Sequence, residues 1–158
     1  MGRLPIIAVE EMSDEQKTLR ERIAGGKRGG FRGPFNVWVY SPGFLDCLEK
    51  VGAYLRYDSL LPPRLSEMAI LITARHWTAQ YEWFAHEPHA LKGGLDLGII
   101  AAIREGRRPE NMQPDESALY DFCTEIHGNH AVSDATYKAA LEQFGERGVV
   151  ELTGLIGH

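Results

Sequence analysis

Apolar residues recur along this chain at three- and four-residue intervals almost everywhere, and alternating runs of β-branched residues are nearly absent. Such a pattern buries its apolar surface by packing helix on helix. Ser13-Asp14-Glu15-Gln16 is a capping box that opens a short helix ending near Gly25-Gly26. Ser41-Pro42 starts another, with Ser as N-cap, and the helix from Pro42 to about Tyr57 is expected to bury Leu45, Leu48, Val51 and Leu55. Pro62-Pro63 opens a third that runs through Leu65, Met68, Ala69, Leu71 and Ile72 toward Arg75. The pattern continues from Trp77 to Leu91, with Pro88 expected to distort the last turn. Further helices are predicted at Asp96–Glu105, Asp115–His127 and Ser133–Phe144, and the apolar stretch from Val149 to Ile156 has no stop signal, so the C-terminal helix reads as incomplete. The expectation is an all-α fold, a single-domain helical bundle of about six to eight helices over residues 1–158, a length that suits one hydrophobic core.

Charge narrows the choice of partner. The chain carries 17 Lys plus Arg against 22 Asp plus Glu, and its last third, residues 101–158, holds 5 basic and 10 acidic groups. Affinity for nucleic acid rests on cations that neutralise phosphates, so no nucleic-acid partner is expected. No apolar run approaches the roughly 18 residues of a membrane span, and Met1-Gly2-Arg3-Leu4-Pro5 lacks the form of a signal peptide. A cytoplasmic protein without a membrane partner is the resulting expectation. Cys47 and Cys123 each lie within an apparent helix, and nothing in their spacing pairs them. Gly25 to Gly33, with five glycines and three cationic residues, reads as a mobile basic loop, since a phosphate cradle would need a preceding strand.

Ionisable residues are densest, within an otherwise apolar region, between Glu67 and His89. Glu82 and His86 are four residues apart and share a helix face. His89 joins them only if Pro88 does not swing it aside. Glu67 lies one helix earlier among Met68, Ala69 and Ile70, where a carboxylate is costly unless paired. Two carboxylates and an imidazole in an apolar setting suit general acid and base work. A structural alternative pairs Glu67 with Arg64 or Arg75 and leaves Glu82 and His86 as a solvated pair. Glu82, His86 and His89 would also count as three metal ligands, but the sequence has neither His-Glu-x-x-His nor paired Glu-x-x-His, so no metal is expected. His127 and His130 flank Gly128-Asn129 as a helix terminus would, where the dipole favours a cation.

Glu67, the run Ala69 to Arg75, the run Gln80-Tyr81-Glu82-Trp83-Phe84-Ala85-His86, and Ala90 with Gly93 together resemble the carboxymuconolactone decarboxylase family, which includes the alkyl hydroperoxidase D-like proteins. The likeness extends from Gly33-Pro34-Phe35 to the apolar C-terminal segment. In the peroxidase branch the pattern is Glu, eleven residues, Cys-x-x-Cys, three residues, His. Here Glu67 and His86 match, while the cysteine positions hold Ala79 and Glu82. Reduction of a hydroperoxide by a cysteine pair needs a thiolate and a resolving thiol, so the peroxidase or antioxidant reading is disfavoured.

The branch without cysteines is similar to γ-carboxymuconolactone decarboxylase, a carboxy-lyase of aromatic-compound catabolism that uses no metal or organic cofactor. The resemblance implies an alkyl hydroperoxidase D-like fold in a homotrimer or homohexamer, and a small carboxylated lactone or related carbonyl compound as substrate. It also implies His86 as the proton-transfer residue, Glu82 orienting it and Glu67 as second acid or base. Arg75 would bind a substrate carboxylate, Tyr81, Trp83 and His89 would line the pocket, and Lys27, Arg28 and Arg32 of a neighbouring subunit would add charge. Phe31, Phe35, Val37, Trp38 and Tyr40 form an apolar stretch that fits either a subunit contact or the chain's own core. A non-catalytic binding protein of the same architecture would leave Glu67, Glu82 and His86 in solvent.

Overall fold

In the computed structural model, which describes residues 3–158, every regular element is helical. The chain forms two compact units, Met1–Tyr57 and Asp58–His158. The first contains a 3-10 turn, Val9–Glu11, then α1 (Asp14–Gly25), α2 (Phe35–Trp38) and α3 (Pro42–Tyr57). Its first helix starts at the predicted capping box: Ser13 Oγ accepts from the Gln16 N–H at 3.2 Å and the Gln16 side chain accepts from the Ser13 N–H at 2.9 Å. Leu19, Ile23, Phe35, Val39 and Leu45 make its core, and Phe31 and Trp38 pack against that core. The aromatic stretch is therefore divided, since Val37 and Tyr40 stay exposed.

Two expectations for this unit need correction. Val51 is exposed, not buried with Leu45 and Leu55. Six residues at about 100° each put it roughly 120° around the helix from Leu45. The basic loop is also tied down at Arg28, whose Nε lies 3.4 Å from Glu49 Oε1 and whose guanidinium sits 5.0 Å from the centre of the Phe35 ring.

The second unit contains α4 (Pro63–His76), α5 (Gln80–Lys92), α6 (Leu97–Glu105), α7 (Pro114–Asn129) and α8 (Asp134–Gly157). Helix α4 is central and packs against α5, α6, α7 and α8. That position explains why Ser66 and Glu67 are buried along with Leu65, Met68, Leu71 and Ile72. Thr78, at φ 54°, breaks the helical path between α4 and α5. At the far end of α5 a Cβ on Gly93 would come within 3.0 Å of the Pro63 and Arg64 backbone. Only glycine permits this approach, which closes α5 back onto the start of α4 as an antiparallel hairpin.

The remaining boundaries follow local chemistry. Asp96 caps α6 by accepting from the Gly98 N–H at 2.7 Å, and Gly106 ends it at φ 72°. Pro88 stays within α5, which continues to Lys92. Gly145, at φ 67°, interrupts α8, so the two predicted C-terminal helices are joined through a kink. Glu151, buried beyond that kink, accepts from the Leu60 N–H at 2.7 Å and from Arg147 Nε at 2.8 Å.

Candidate functional site

The α4–α5 hairpin brings Glu67, Glu82 and His86 together. Glu67 is 4% exposed, in the first half of α4. Its Oε2 lies 2.6 Å from His86 Nδ1, and on the other side of the ring Nε2 is 3.4 Å from Glu82 Oε2. The imidazole is thus held between a buried and a half-exposed carboxylate, its own side chain only 12% exposed. An ionised Glu67 at that distance places a proton on Nδ1 in a charge-assisted bond. Nε2 is left to exchange a proton toward Glu82 and solvent. The carboxylate on the apolar face of α4 has the partner that its burial demands, and that partner is the imidazole.

The cations that a structural role would assign to Glu67 are engaged elsewhere. Arg64 holds Asp115 Oδ2 at 2.6 Å and also contacts Glu116, while Arg75 Nε donates to the Arg104 carbonyl at 2.9 Å. Arg75 thereby ties the end of α4 to the end of α6, and no contact links it to His86. His89 remains beside the site despite Pro88, its ring centre 6.2 Å from that of His86. Trp83 donates from Nε1 to Glu87 Oε2 at 2.9 Å and lies under the Arg104 guanidinium at 5.2 Å. Tyr81 is exposed, about 140° around α5 from His86.

Arg104 and Glu87 escaped the sequence reading. They pair directly, and the Arg104 hydrogen bond, helped by the Trp83 indole, holds the Glu87 carboxyl below the usual carboxylate range against the opposing effect of burial. No spacing rule links residues on α5 and α6, so the sequence offered no signal for the pair. A cavity of about 970 Å³ in this unit is bordered by Arg64, Asp96, Arg107, Asp115, Glu116 and Gln143 among others, and by none of the predicted site residues. The triad lies apart from it, open to solvent through Glu82.

A second histidine cluster lies at the ends of α4 and α7. His76 and His127 stack with ring centres 4.7 Å apart at 16°, and Thr73 Oγ1 is 3.0 Å from His127 Nε2. The expected helix-end cation is not what forms at His127. Burial, then the like charge of His76, pushes its pKa down, the direction opposite to that favoured by a helix C-terminus. His130 is instead the left-handed cap of α7, at φ 57°. For stability the sign is fixed: below about pH 6.5 the unfolded chain takes up a proton at His127 that the folded chain resists. The contribution of His127 to stability is therefore expected to fall as pH drops from 7.5 to 5.5. His127→Gln should flatten that slope in urea unfolding, and an unchanged slope would assign it to other groups.

The thiols differ sharply. Cys47 is exposed, whereas Cys123 is fully buried and its burial pushes the thiol pKa far upward. A disulfide-exchange reagent is expected to modify Cys47 within minutes and Cys123 only on unfolding. Rapid release of two equivalents from the native protein would contradict this. Among the described residues no three His, Cys, Asp or Glu side chains are grouped as a metal site requires. Comparison with known proteins finds no matching family model, no similar curated protein and no similar solved structure.

Proposed function

We propose that the chain is a cofactor-free acid/base enzyme, a carboxy-lyase like γ-carboxymuconolactone decarboxylase, acting in the cytoplasm on a small carboxylated lactone or related carbonyl compound of aromatic-compound catabolism. The observation that carries this reading is the Glu67–His86–Glu82 bridge: an imidazole fixed at Nδ1 by a buried carboxylate, with Nε2 directed to the open side. Loss of CO2 breaks a carbon–carbon bond and leaves its electron pair delocalised into the unsaturated lactone. His86 delivers a proton from Nε2 to the carbon that receives it, Glu67 stabilises the charged ring, and Glu82 passes protons between Nε2 and solvent. Arg104, which reaches α5 at Glu87 and covers Trp83, would bind a substrate carboxylate, with Arg75 held to its backbone carbonyl. Tyr81, on the far side of α5, would line a pocket only where a neighbouring subunit meets it, and the family resemblance implies a homotrimer or homohexamer. The burial of Glu67 counts against a non-catalytic role, and the burial of Cys123 against a thiol peroxidase.

The test is CO2 release from γ-carboxymuconolactone by the wild type and by His86→Ala. A loss of about 10²–10⁴-fold is expected of a general acid. Undiminished release by the variant, or none by the wild type, would overturn the reading.

A further inference from the structure

The cavity of about 970 Å³ in the second unit has no part in the reaction proposed above, yet it is of the size that small ligands fill. Its charges are unequally engaged. Arg64 gives one arm of its guanidinium to Asp115 and the other to Glu116, which also accepts from the Gln113 N–H at 2.7 Å. The exposed Arg107 places two of its nitrogens on one oxygen of Glu105. Both guanidiniums of the lining thus have carboxylates of their own. The two remaining carboxylates of the lining have no cation among the described residues: Asp96 uses Oδ1 to cap α6, and Glu110 makes no hydrogen bond or ion pair. Asp96 precedes α6 and Glu110 lies in the loop beyond it, and Ile99 and Ala102 of that helix line the cavity as well. Nine helical residues span about 13 Å, so the two carboxylates belong to opposite ends of an element with apolar surface between.

We infer that this cavity binds a small aliphatic amine of the polyamine class, in which ammonium groups are separated by methylene spacers. Asp96 and Glu110 each take an ammonium in a charge-assisted hydrogen bond, and the methylenes lie along Ile99, Ala102 and Pro114. The α6 N-terminus draws on the charge of Asp96, which makes Glu110 the stronger anchor. The surrounding charge favours the same class of ligand. Residues 58–158 contain 15 acidic and 8 basic groups, a balance that attracts cations and repels anions. A single dense cation fits less well, because Mg²⁺ or Ca²⁺ needs several oxygens converging on one point, and no three acidic or imidazole side chains are so grouped among the described residues. Nothing in this site depends on the chemistry of His86.

The experiment is isothermal titration of the full-length protein with spermidine in about 0.15 M salt, where the field of exposed charges is screened beyond roughly 8 Å. Butylamine, magnesium chloride and the variants Glu110→Gln, Asp96→Asn and Glu21→Gln run beside it. Both cavity variants keep the fold, since asparagine caps a helix as aspartate does and Glu110 holds nothing in place. Expected are one spermidine per chain, bound at least about tenfold more tightly than butylamine, which can satisfy only one carboxylate. Glu110→Gln should raise Kd by about tenfold or more and Asp96→Asn by somewhat less, while Glu21→Gln, an equal loss of charge on α1, leaves it unchanged. No saturable binding of spermidine overturns the inference. So does equal weakening by Glu21→Gln, which would mean diffuse attraction to an acidic protein, or binding of magnesium or butylamine as tight as that of spermidine.

Discussion

His86→Ala is expected to lower the stability of the protein by about 3–5 kcal/mol, because it leaves the Glu67 carboxylate buried without its charge partner. For a chain of 158 residues this is a fall in Tm of roughly 6–20 °C. The reasoning turns on asymmetry. Forming a buried ion pair gains little net, since desolvation offsets attraction, but breaking one strands the other charge. Glu67 is 4% exposed and its Oε2 sits 2.6 Å from His86 Nδ1, so water cannot readily replace the lost contact. Adding Glu67→Leu to His86→Ala should therefore restore most of the lost stability, replacing the pair with apolar surface on the inner side of α4. Glu82→Ala, at a half-exposed position, should change stability by less than about 1 kcal/mol. Thermal or urea unfolding of the four proteins decides the matter. A His86→Ala variant that melts with the wild type would show that Glu67 is paired elsewhere. The stable double variant has a second use: if it remains inactive, the lost activity belongs to the missing Glu67–His86 pair and not to a loosened fold.

The helical class was legible because caps and prolines announce themselves locally. Ser13-x-x-Gln16, Ser41-Pro42 and Pro62-Pro63 each begin an element close to its observed start. Errors arose where the outcome depended on what lies across from a residue. Val51 has the same apolar character as Leu45, and the packing of α1 and α2 on α3 decides which of the two is covered. His127 carries the ordinary signature of a helix-end cation. Its burial, and after that its stacking on His76, 51 positions away in sequence, come from the α4–α7 packing and push its pKa down. At the site, Glu82 and His86 were legible from helical spacing, and Glu67 from the anomaly of a carboxylate in an apolar stripe. That Glu67 bonds His86 and not Arg64 or Arg75 required the hairpin turn at Thr78 and the close approach at Gly93. Arg104 was invisible for the same reason.

On the mechanism proposed above, Glu67→Gln should reduce kcat by about 10²–10⁴-fold while changing KM only a few-fold. The amide is nearly isosteric, and its carbonyl oxygen still accepts from His86 Nδ1, so the ring stays oriented and the helix stays packed. What disappears is the negative charge that stabilises the imidazolium as His86 exchanges its proton, an effect that is strong at a buried site and weak in water. Glu67 is 4% exposed and bonded to His86 Nδ1, which on the proposed mechanism keeps it out of contact with substrate, hence the expected separation of kcat from KM. Glu82→Gln provides the comparison, because Glu82 has the same chemistry on the exposed side, 3.4 Å from Nε2. Solvent can replace a proton shuttle there, so its loss should be no more than the low end of the general-acid range, about 10²-fold. Steady-state kinetics on the lactone ranks the three groups: His86 first, Glu67 second, Glu82 third. If Glu82→Gln proved the most damaging instead, the acid would be Glu82 itself, and His86 would be the residue that sets its proton.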